Sequence, residues 1–183
     1  MIDSQPQVKF YFFCFLLLLV FERLQNTFHN SSKKKYSVEK GRVFQKIFFY
    51  ILLSVYLLIV LIDVLTFLKV DRKSPQLFFI GLLIYFMGVA VRRAAIYALG
   101  DMWSVFVEVK SNQRLVKEGV YKYIKHPYYL AVILELSGFS LLCQSLTGLL
   151  LAIFLQGGLL LYRIKIESRV LDVFSRRQGF SKL

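Results

Sequence analysis

Apolar segments of membrane-spanning length are the feature that most restricts how this chain can fold. Residues 44–68 form one such segment, with Asp63 as its only acidic residue, and residues 77–97 form another, interrupted by Arg92 and Arg93. A helix needs about 20 predominantly apolar residues to cross a bilayer. At 57% hydrophobic residues over 183, the chain is too apolar for an ordinary soluble domain of its size. The sequence therefore predicts one all-α integral membrane domain over residues 1–183.

The first span is predicted over residues 8–24. A cleavable signal peptide should have a basic start and small residues at its cleavage site. Here Asp3 and Lys9 precede the apolar run, and Glu22 and Arg23 follow it. We therefore expect a retained helix.

Two apolar segments, residues 128–142 and 146–162, are separated by three uncharged residues and complete a predicted bundle of about five spans. A connection this short makes the two helices antiparallel neighbours. The start of the fourth span and the end of the fifth must then lie on the same side of the bilayer. This arrangement predicts that His126 and Glu167 lie at one face.

The basic residues predict the orientation of the bundle. Lys and Arg are concentrated in the loop after the first span, in residues 92–125 and after residue 162. Positive loops stay in the cytoplasm, so we expect the amino terminus outside and the carboxyl terminus in the cytoplasm. Residues 69–74 and the turn at 143–145 then lie on the outer side. The three basic residues of the 69–74 loop do not fit the positive-inside rule.

The net charge of +13 is explained by this topology and by attraction to anionic membrane lipids. Nucleic-acid binding is not expected, because the basic residues are spread over loops and form no compact basic domain. The plasma membrane or the endoplasmic reticulum is the expected location, depending on the organism. The terminal Ser181-Lys182-Leu183 matches a peroxisomal address. That signal directs matrix proteins, so we do not expect it to act in a multi-span membrane protein.

Two cysteines and two carboxylates lie in or beside the apolar segments. Cys14 and Cys143 have no partner pattern for a disulfide framework or a metal site, and no metal is predicted. Ionisable groups inside a bilayer usually face a cavity or a partner. We expect Asp63 to reach water near the outer end of its span. Glu135 is expected either to join the pocket of Glu167 or to pair with a neighbouring helix, and packing is the favoured role for both carboxylates.

A polar and aromatic block over residues 113–129 lies between the apolar segments and ends in His126-Pro127. Proline is well tolerated in the first turn of a helix, so this pair marks the predicted entry of the fourth span. Free amides at a helix start attract anionic ligand groups, and tyrosines add stacking surfaces. A nucleotide-like site fits these properties. From the residues alone, an aromatic belt beside a capped helix fits better.

The order and spacing of this block resemble a known family. The string Gly-Val-Tyr-Lys-Tyr-Ile-Lys-His-Pro-Tyr-Tyr at 119–129, followed by Arg163-Ile-x-x-Glu167-x-x-x-Leu171, is similar to the isoprenylcysteine carboxyl methyltransferase family, most closely its short bacterial members. The resemblance is clearest from about Tyr97 to Phe174. Two positions depart from the family pattern: Lys125 replaces an arginine, and Ser168 replaces a second acid.

The resemblance implies a multi-span membrane enzyme that uses S-adenosyl-L-methionine, with a cytoplasmic cofactor pocket at the last two helices. The glycine-rich loop of soluble methyltransferases is absent from the chain, so this pocket would hold the cofactor. Arg163 corresponds to the catalytic, substrate-binding arginine that faces the methyl acceptor. The residues that correspond to cofactor-binding positions are Gln113, Arg114, Leu115, Val116, Tyr121, His126, Pro127, Tyr128, Tyr129 and Glu167.

The expected reaction is O-methylation of a lipophilic acceptor, with the carboxylate of an isoprenylcysteine-like or prenylated substrate as the first expectation. Arg163 and Glu167 are four residues apart and share a helix face, so an ordinary ion pair is the competing interpretation. The sulfonium methyl is already activated, so alignment and exclusion of water are the main requirements. A carboxylate acceptor needs no general base, whereas a hydroxyl or amine would require one such as His126 or Glu135.

Three alternatives remain open at the level of sequence. The same cofactor site would suit O-methylation of alkyl-pyrones or N-methylation of phospholipids. Membrane sterol reductases also carry a His-Pro-x-Tyr element, but Leu130-Ala131 stands where that family would have Gly-Asp. A non-catalytic helical membrane protein is the alternative of another class, and it predicts no cofactor binding.

Overall fold

The computed structural model describes residues 6–29, 42–69, 74–100 and 118–177. These residues are almost entirely helical, and no strand occurs among them, which confirms the predicted all-α class. The helices are α1 (Pro6–His29), α2 (Arg42–Lys69), α3 (Pro75–Leu99), α4 (Pro127–Leu142), α5 (Leu146–Leu150) and α6 (Gly157–Arg177). A π-helical segment, Leu151–Gln156, joins α5 to α6 in one continuous rod, and a 3-10 turn, Gly119–Lys122, precedes α4.

Three helical stretches are long and apolar enough to cross a membrane: Ile47–Lys69, Pro75–Leu99 and Leu146–Arg169. A shorter apolar helix, Pro127–Leu142, lies beside them. The first four predicted spans each fall within one helix, and the fifth falls within the rod of α5, the π-helical segment and α6, which continues past the predicted end at residue 162. The sequence therefore folds as a membrane helical bundle, while the span limits stay predictions.

Glycines let α3 and α4 pack with their backbones almost in contact. A Cβ atom at Gly138 would lie 2.5 Å from the backbone nitrogen of Tyr85, and one at Gly81 would lie 2.6 Å from that of Leu142. Close backbone approach at small residues is the usual way in which membrane helices associate. The apolar core lies around this pair of helices. It includes Ile59 of α2 and Leu136 of α4, both fully buried.

The turn between α4 and α5 occupies residues 143–145, where the sequence predicted a tight connection. Gln144 has a left-handed backbone (φ 55°), and Ser145 caps α5 by accepting a 3.0 Å hydrogen bond from the Gly148 amide. The Gln144 side chain accepts from the Ser74 amide at 3.0 Å and donates to the Ser74 carbonyl at 2.9 Å. The turn is thus fastened to the start of α3.

Asp63 does not reach water, so that expectation was wrong. Its side chain is fully buried, and Ser140 donates a 2.7 Å hydrogen bond to Oδ2. A Cβ atom at Gly148 would fall 1.6 Å from Oδ1, so the glycine leaves the space that the carboxylate occupies. The start of α5 therefore covers Asp63, and Ser140 of α4 supplies a polar contact that an outward orientation would have obtained from water.

Glu135 pairs with neighbouring helices and does not join Glu167. It accepts hydrogen bonds from Arg92 Nε of α3, at 2.7 Å, and from Arg23 Nη1 of α1. The packing alternative is therefore confirmed for this residue. The contact with Arg23 also ties α1 into the bundle.

Candidate functional site

The start of α4 and the middle of α6 meet through one hydrogen bond between predicted site residues. The Tyr129 hydroxyl donates to Glu167 Oε2 at 2.7 Å, across 38 positions of sequence. The tight turn between α4 and α5 sends the rod back along α4, which brings these two elements together. Polar residues from the two ends of the predicted hairpin thus share one location.

Tyr129 is the centre of this cluster. The His126 ring stacks on it with a centroid separation of 5.7 Å and an interplanar angle of 23°. The Arg163 guanidinium lies 5.6 Å from the Tyr129 ring centroid, and the Tyr128 ring meets it edge-on at 6.2 Å. Stacked and cation–π contacts of this kind hold flat, charged groups in defined orientations.

The helix start explains where His126 lies. Pro127 is buried at the first position of α4, and His126 is the N-cap residue, with no capping hydrogen bond from its side chain. The imidazole ring instead stacks on that of Tyr129, three residues further along. The predicted entry of the fourth span at His126-Pro127 agrees with this geometry.

Tyr121 approaches the same cluster from the 3-10 turn. Its amide donates to the Glu118 carbonyl at 3.2 Å, and Gly119, with φ 58°, starts the turn beside Ala98 of α3. Burial, with a smaller effect from the negative charge of Glu167, raises the pKa of Tyr121 to about 12. The phenol is therefore neutral at ordinary pH and remains available as a hydrogen-bond donor.

A cavity of about 420 Å³, open along one side, lies between α4 and the rod, with His126 and Tyr129 among its lining residues. Gly157 and Gly158 border it without side chains, and a Cβ atom at Gly158 would meet nothing within 4 Å. The remaining lining residues are all apolar: Leu130, Ile133, Ile153, Phe154, Leu160, Leu161 and Ile164. A polar end and an apolar body suit a ligand that is itself amphipathic.

Other predicted residues and groups lie outside this geometry. Gln113, Arg114, Leu115 and Val116 fall outside the described residues. The described part of the chain contains no group of three His, Cys, Asp or Glu residues that could hold a metal ion. Cys14 and Cys143 are free thiols.

The apolar lining of the cavity was not predicted from the sequence. The sequence signal that relates to it is the Gly157-Gly158 pair in the last predicted span. The π-helical segment, which contributes Ile153 and Phe154, leaves no signal in the pattern of apolar residues.

Comparison with known proteins covers the part of the chain that holds this site. Residues 80–173, just over half of the chain, match the model of the isoprenylcysteine carboxyl methyltransferase (ICMT) family. Uncharacterized protein YpbQ of Bacillus subtilis (strain 168) is 34% identical over 105 residues, which are 57% of this chain and 62% of that protein. An uncharacterized protein of Haemophilus influenzae is 32% identical over 94 residues, 51% of this chain and 55% of its own length. The matching region therefore spans less than two thirds of either relative.

Proposed function

This chain belongs to the isoprenylcysteine carboxyl methyltransferase family, and from that membership we propose that it transfers a methyl group from S-adenosyl-L-methionine to a lipophilic acceptor within the membrane. The observation that carries the proposal is the hydrogen bond from Tyr129 to Glu167 beside an apolar cavity. This hydrogen bond joins the 119–129 string to the motif at 163–171, beside the cavity where a polar cofactor and an apolar acceptor would meet.

The residues present suit the cofactor. The Glu167 carboxylate can accept hydrogen bonds from an amine or hydroxyl, and the neutral Tyr121 phenol can donate one. The rings of His126, Tyr128 and Tyr129 offer stacking surfaces for a nucleobase. By resemblance, Gln113, Arg114, Leu115 and Val116 would complete the pocket. When bound, the cofactor supplies an activated sulfonium methyl.

In this proposal Arg163 orients the acceptor. Its guanidinium lies over the ring of Tyr129, which lines the cavity, and a guanidinium in this position can bind a carboxylate. An apolar tail of the same acceptor can lie along Ile133, Ile153 and Leu161. Holding the carboxylate in line with the methyl donor, away from water, supplies the rate enhancement, because a carboxylate has no proton to lose. This geometry supports carboxyl O-methylation of an isoprenylcysteine-like compound.

A hydroxyl on an alkyl-pyrone is the second candidate acceptor, because His126 borders the cavity and can serve as the base that removes its proton. An alkyl tail would use the same apolar lining. N-methylation of a phospholipid would likewise need a base, and it would place two tails beside one cavity.

Cofactor binding tests the proposal first. We expect the purified full chain to bind S-adenosyl-L-methionine in detergent, as measured by isothermal titration calorimetry. Tyr129→Phe should raise Kd about tenfold, because Glu167 then loses the hydrogen bond that orients its carboxylate and a small misplacement of a binding group has large effects. Tyr123→Phe is the matched control, since that ring is exposed and lies beside Lys122. A folded wild-type chain that binds no cofactor would contradict the proposal.

Acceptor choice is tested by filling the cavity. Gly157→Phe should reduce turnover of long-chain acceptors more than of short-chain analogues, because a Cβ atom there already approaches Ile133 Cδ1 at 3.8 Å. Leu146→Phe adds bulk at an exposed position outside the cavity and should leave chain-length preference unchanged. Prenylcysteine, alkyl-pyrone and phospholipid acceptors would be compared with each variant. An unchanged preference in Gly157→Phe would remove the cavity from acceptor binding.

A further inference from the structure

Four charged side chains form a cluster inside the bundle, away from Glu167. This interior charge cluster consists of Glu22 and Arg23 on α1, Arg92 on α3 and Glu135 on α4. Arg92 and Glu135 are fully buried, and Arg23 is nearly so. Two of the four residues belong to α1, which lies outside the stretch that matches the family. The cluster therefore links the matching half of the chain to its first helix.

Glu135 is held at both carboxylate oxygens. Arg23 Nη1 donates to Oε2, and Arg92 Nε donates to Oε1 at 2.7 Å. Arg92 also donates through Nη2 to Glu22 Oε2 at 2.7 Å, so positive and negative groups alternate through the cluster. Buried charges are tolerated when they are paired in this way. Because guanidinium donors have fixed directions, these bonds define the rotation and the depth of the helix that carries Glu135.

The backbone of α3 is shaped to admit the Glu135 side chain. A Cβ atom at Gly88 would lie 2.7 Å from Glu135 Cγ and 2.8 Å from the Glu135 backbone nitrogen. Any larger residue would displace α4 at this level. The glycine is a second observation, separate from the ion pairs, that fixes Glu135 in its place.

The cluster holds α4 from the face opposite to the cavity. His126, Tyr129, Leu130 and Ile133 line the cavity at helical spacing. Glu135 follows Ile133 by two residues, which is about 200° around the helix. Because the cavity leaves part of this side of α4 without packing contacts, contacts on the opposite side help to fix the placement of Tyr129.

A second path leads from the cluster to Tyr129. The Arg23 guanidinium lies 4.7 Å from the ring centroid of Tyr56 on α2. Leu52, one helical turn earlier on the same face of α2, belongs to an apolar cluster that packs against Tyr128. The Tyr128 ring in turn meets that of Tyr129.

We propose that the interior charge cluster is a positioning network, in which Arg23, Arg92 and Glu22 hold Glu135 so that Tyr129 and His126 meet Glu167 and Arg163. This proposal rests on the proposed function, because its effect is read as cofactor affinity. None of the four residues needs to touch a ligand. In this proposal α1 contributes to cofactor binding by positioning α4.

The test compares two buried carboxylates in the full chain, purified in detergent. Glu135→Gln and Arg23→Gln should each raise the Kd for S-adenosyl-L-methionine about tenfold, since a small misplacement of binding groups has large effects. The double variant should bind the cofactor no more weakly than whichever single variant has the higher Kd, because both substitutions break the same contact between Arg23 and Glu135. Arg23→Lys, which keeps the charge, should recover part of the affinity. Asp63→Asn is the matched control, and its Kd should stay within about twofold of wild type even if its Tm falls.

The outcomes separate the two proposals. Wild-type protein that binds no cofactor would overturn both the proposed function and the positioning network. Wild-type binding with an unchanged Kd in folded Glu135→Gln and Arg23→Gln would leave the function standing and overturn the network alone. Equal weakening by Asp63→Asn would also overturn it, because any lost buried contact would then suffice. If Glu135→Gln does not fold, the two Arg23 variants decide the question.

Discussion

At the residue scale, two tyrosines of one short segment have different surroundings and should behave differently. Tyr121 is partly buried near Glu167, whereas Tyr123 is 81% exposed beside Lys122. Burial and the nearby carboxylate raise the pKa of Tyr121 from its ordinary value near 10 to about 12. Both effects oppose formation of a phenolate.

Tyr121→Phe should reduce the loss of stability at alkaline pH. The phenol ionises near pH 10 in the unfolded chain and near 12 in the folded one, so its stabilising contribution is complete below pH 10 and is lost as pH rises to 12. We expect Tm to fall more steeply over this range in wild type than in Tyr121→Phe, as measured by thermal melting in detergent. Tyr123→Phe should follow wild type. Parallel curves for wild type and Tyr121→Phe would contradict the prediction.

The same scale shows which site properties the sequence carries. The family-like string picked out His126, Tyr129, Arg163 and Glu167, and the structure brings these four residues together. It did not indicate that Tyr129 would be the residue that contacts the other three. The environment of Asp63 was also predicted wrongly, because its nearness to the span end is visible in the sequence, whereas its contacts with Ser140 and the start of α5 are not. Contacts between distant segments decide such cases.

At the scale of elements, the contact between α3 and α4 depends on missing side chains. Gly81 and Gly138 face the opposite backbone at distances that no Cβ atom can occupy. Gly158 on α6, in contrast, faces open space. The same residue type therefore has opposite roles on two helices of one bundle.

Gly138→Ala should lower the free energy of unfolding by about 1–3 kcal/mol, because the added methyl forces α3 and α4 apart. Gly158→Ala is the matched control and should leave stability unchanged or raise it by up to about 1 kcal/mol, since alanine favours helix. Titration with a denaturing detergent, followed by circular dichroism, measures both values. Equal stability of the two variants would show that the helices tolerate a wider separation.

At the scale of the whole molecule, the candidate site lies at one end of the bundle and the 143–145 turn at the other. Exposed basic residues, including Lys122, Lys125, Lys165 and Arg169, surround the site end. This distribution is typical of a cytoplasmic membrane face. It agrees with the orientation expected from the loop charges, which stays a prediction.

Labelling of an introduced cysteine tests that orientation. In a Cys14→Ala background, where the remaining Cys143 is buried, a membrane-impermeant maleimide should label Thr147→Cys in intact cells. Lys165→Cys, at the site end, should be labelled only after the membrane is permeabilised. The reverse pattern would place the amino terminus in the cytoplasm. Labelling of both positions in intact cells would contradict a spanning bundle.

Most of the helical architecture followed from apolar segment length and from the three-residue turn, since both restrict a chain in lipid to few arrangements. The interior charge cluster was harder to foresee. Glu22, Arg92 and Glu135 are far apart in sequence, and only helix packing brings them within hydrogen-bonding distance. No local sequence pattern predicts ion pairs between charges that are so far apart in the chain.

The π-helical segment at Leu151–Gln156 determines the rotation of α6, and therefore the direction in which each α6 side chain points. A π turn holds about one residue more than an α turn, and each residue rotates a helix by about 100°. An uninterrupted α-helix of the same length would carry Arg163 and Glu167 more than a quarter of a turn away from Tyr129. The π-helical segment widens the backbone among apolar side chains. This widening thus turns Arg163 and Glu167 toward Tyr129.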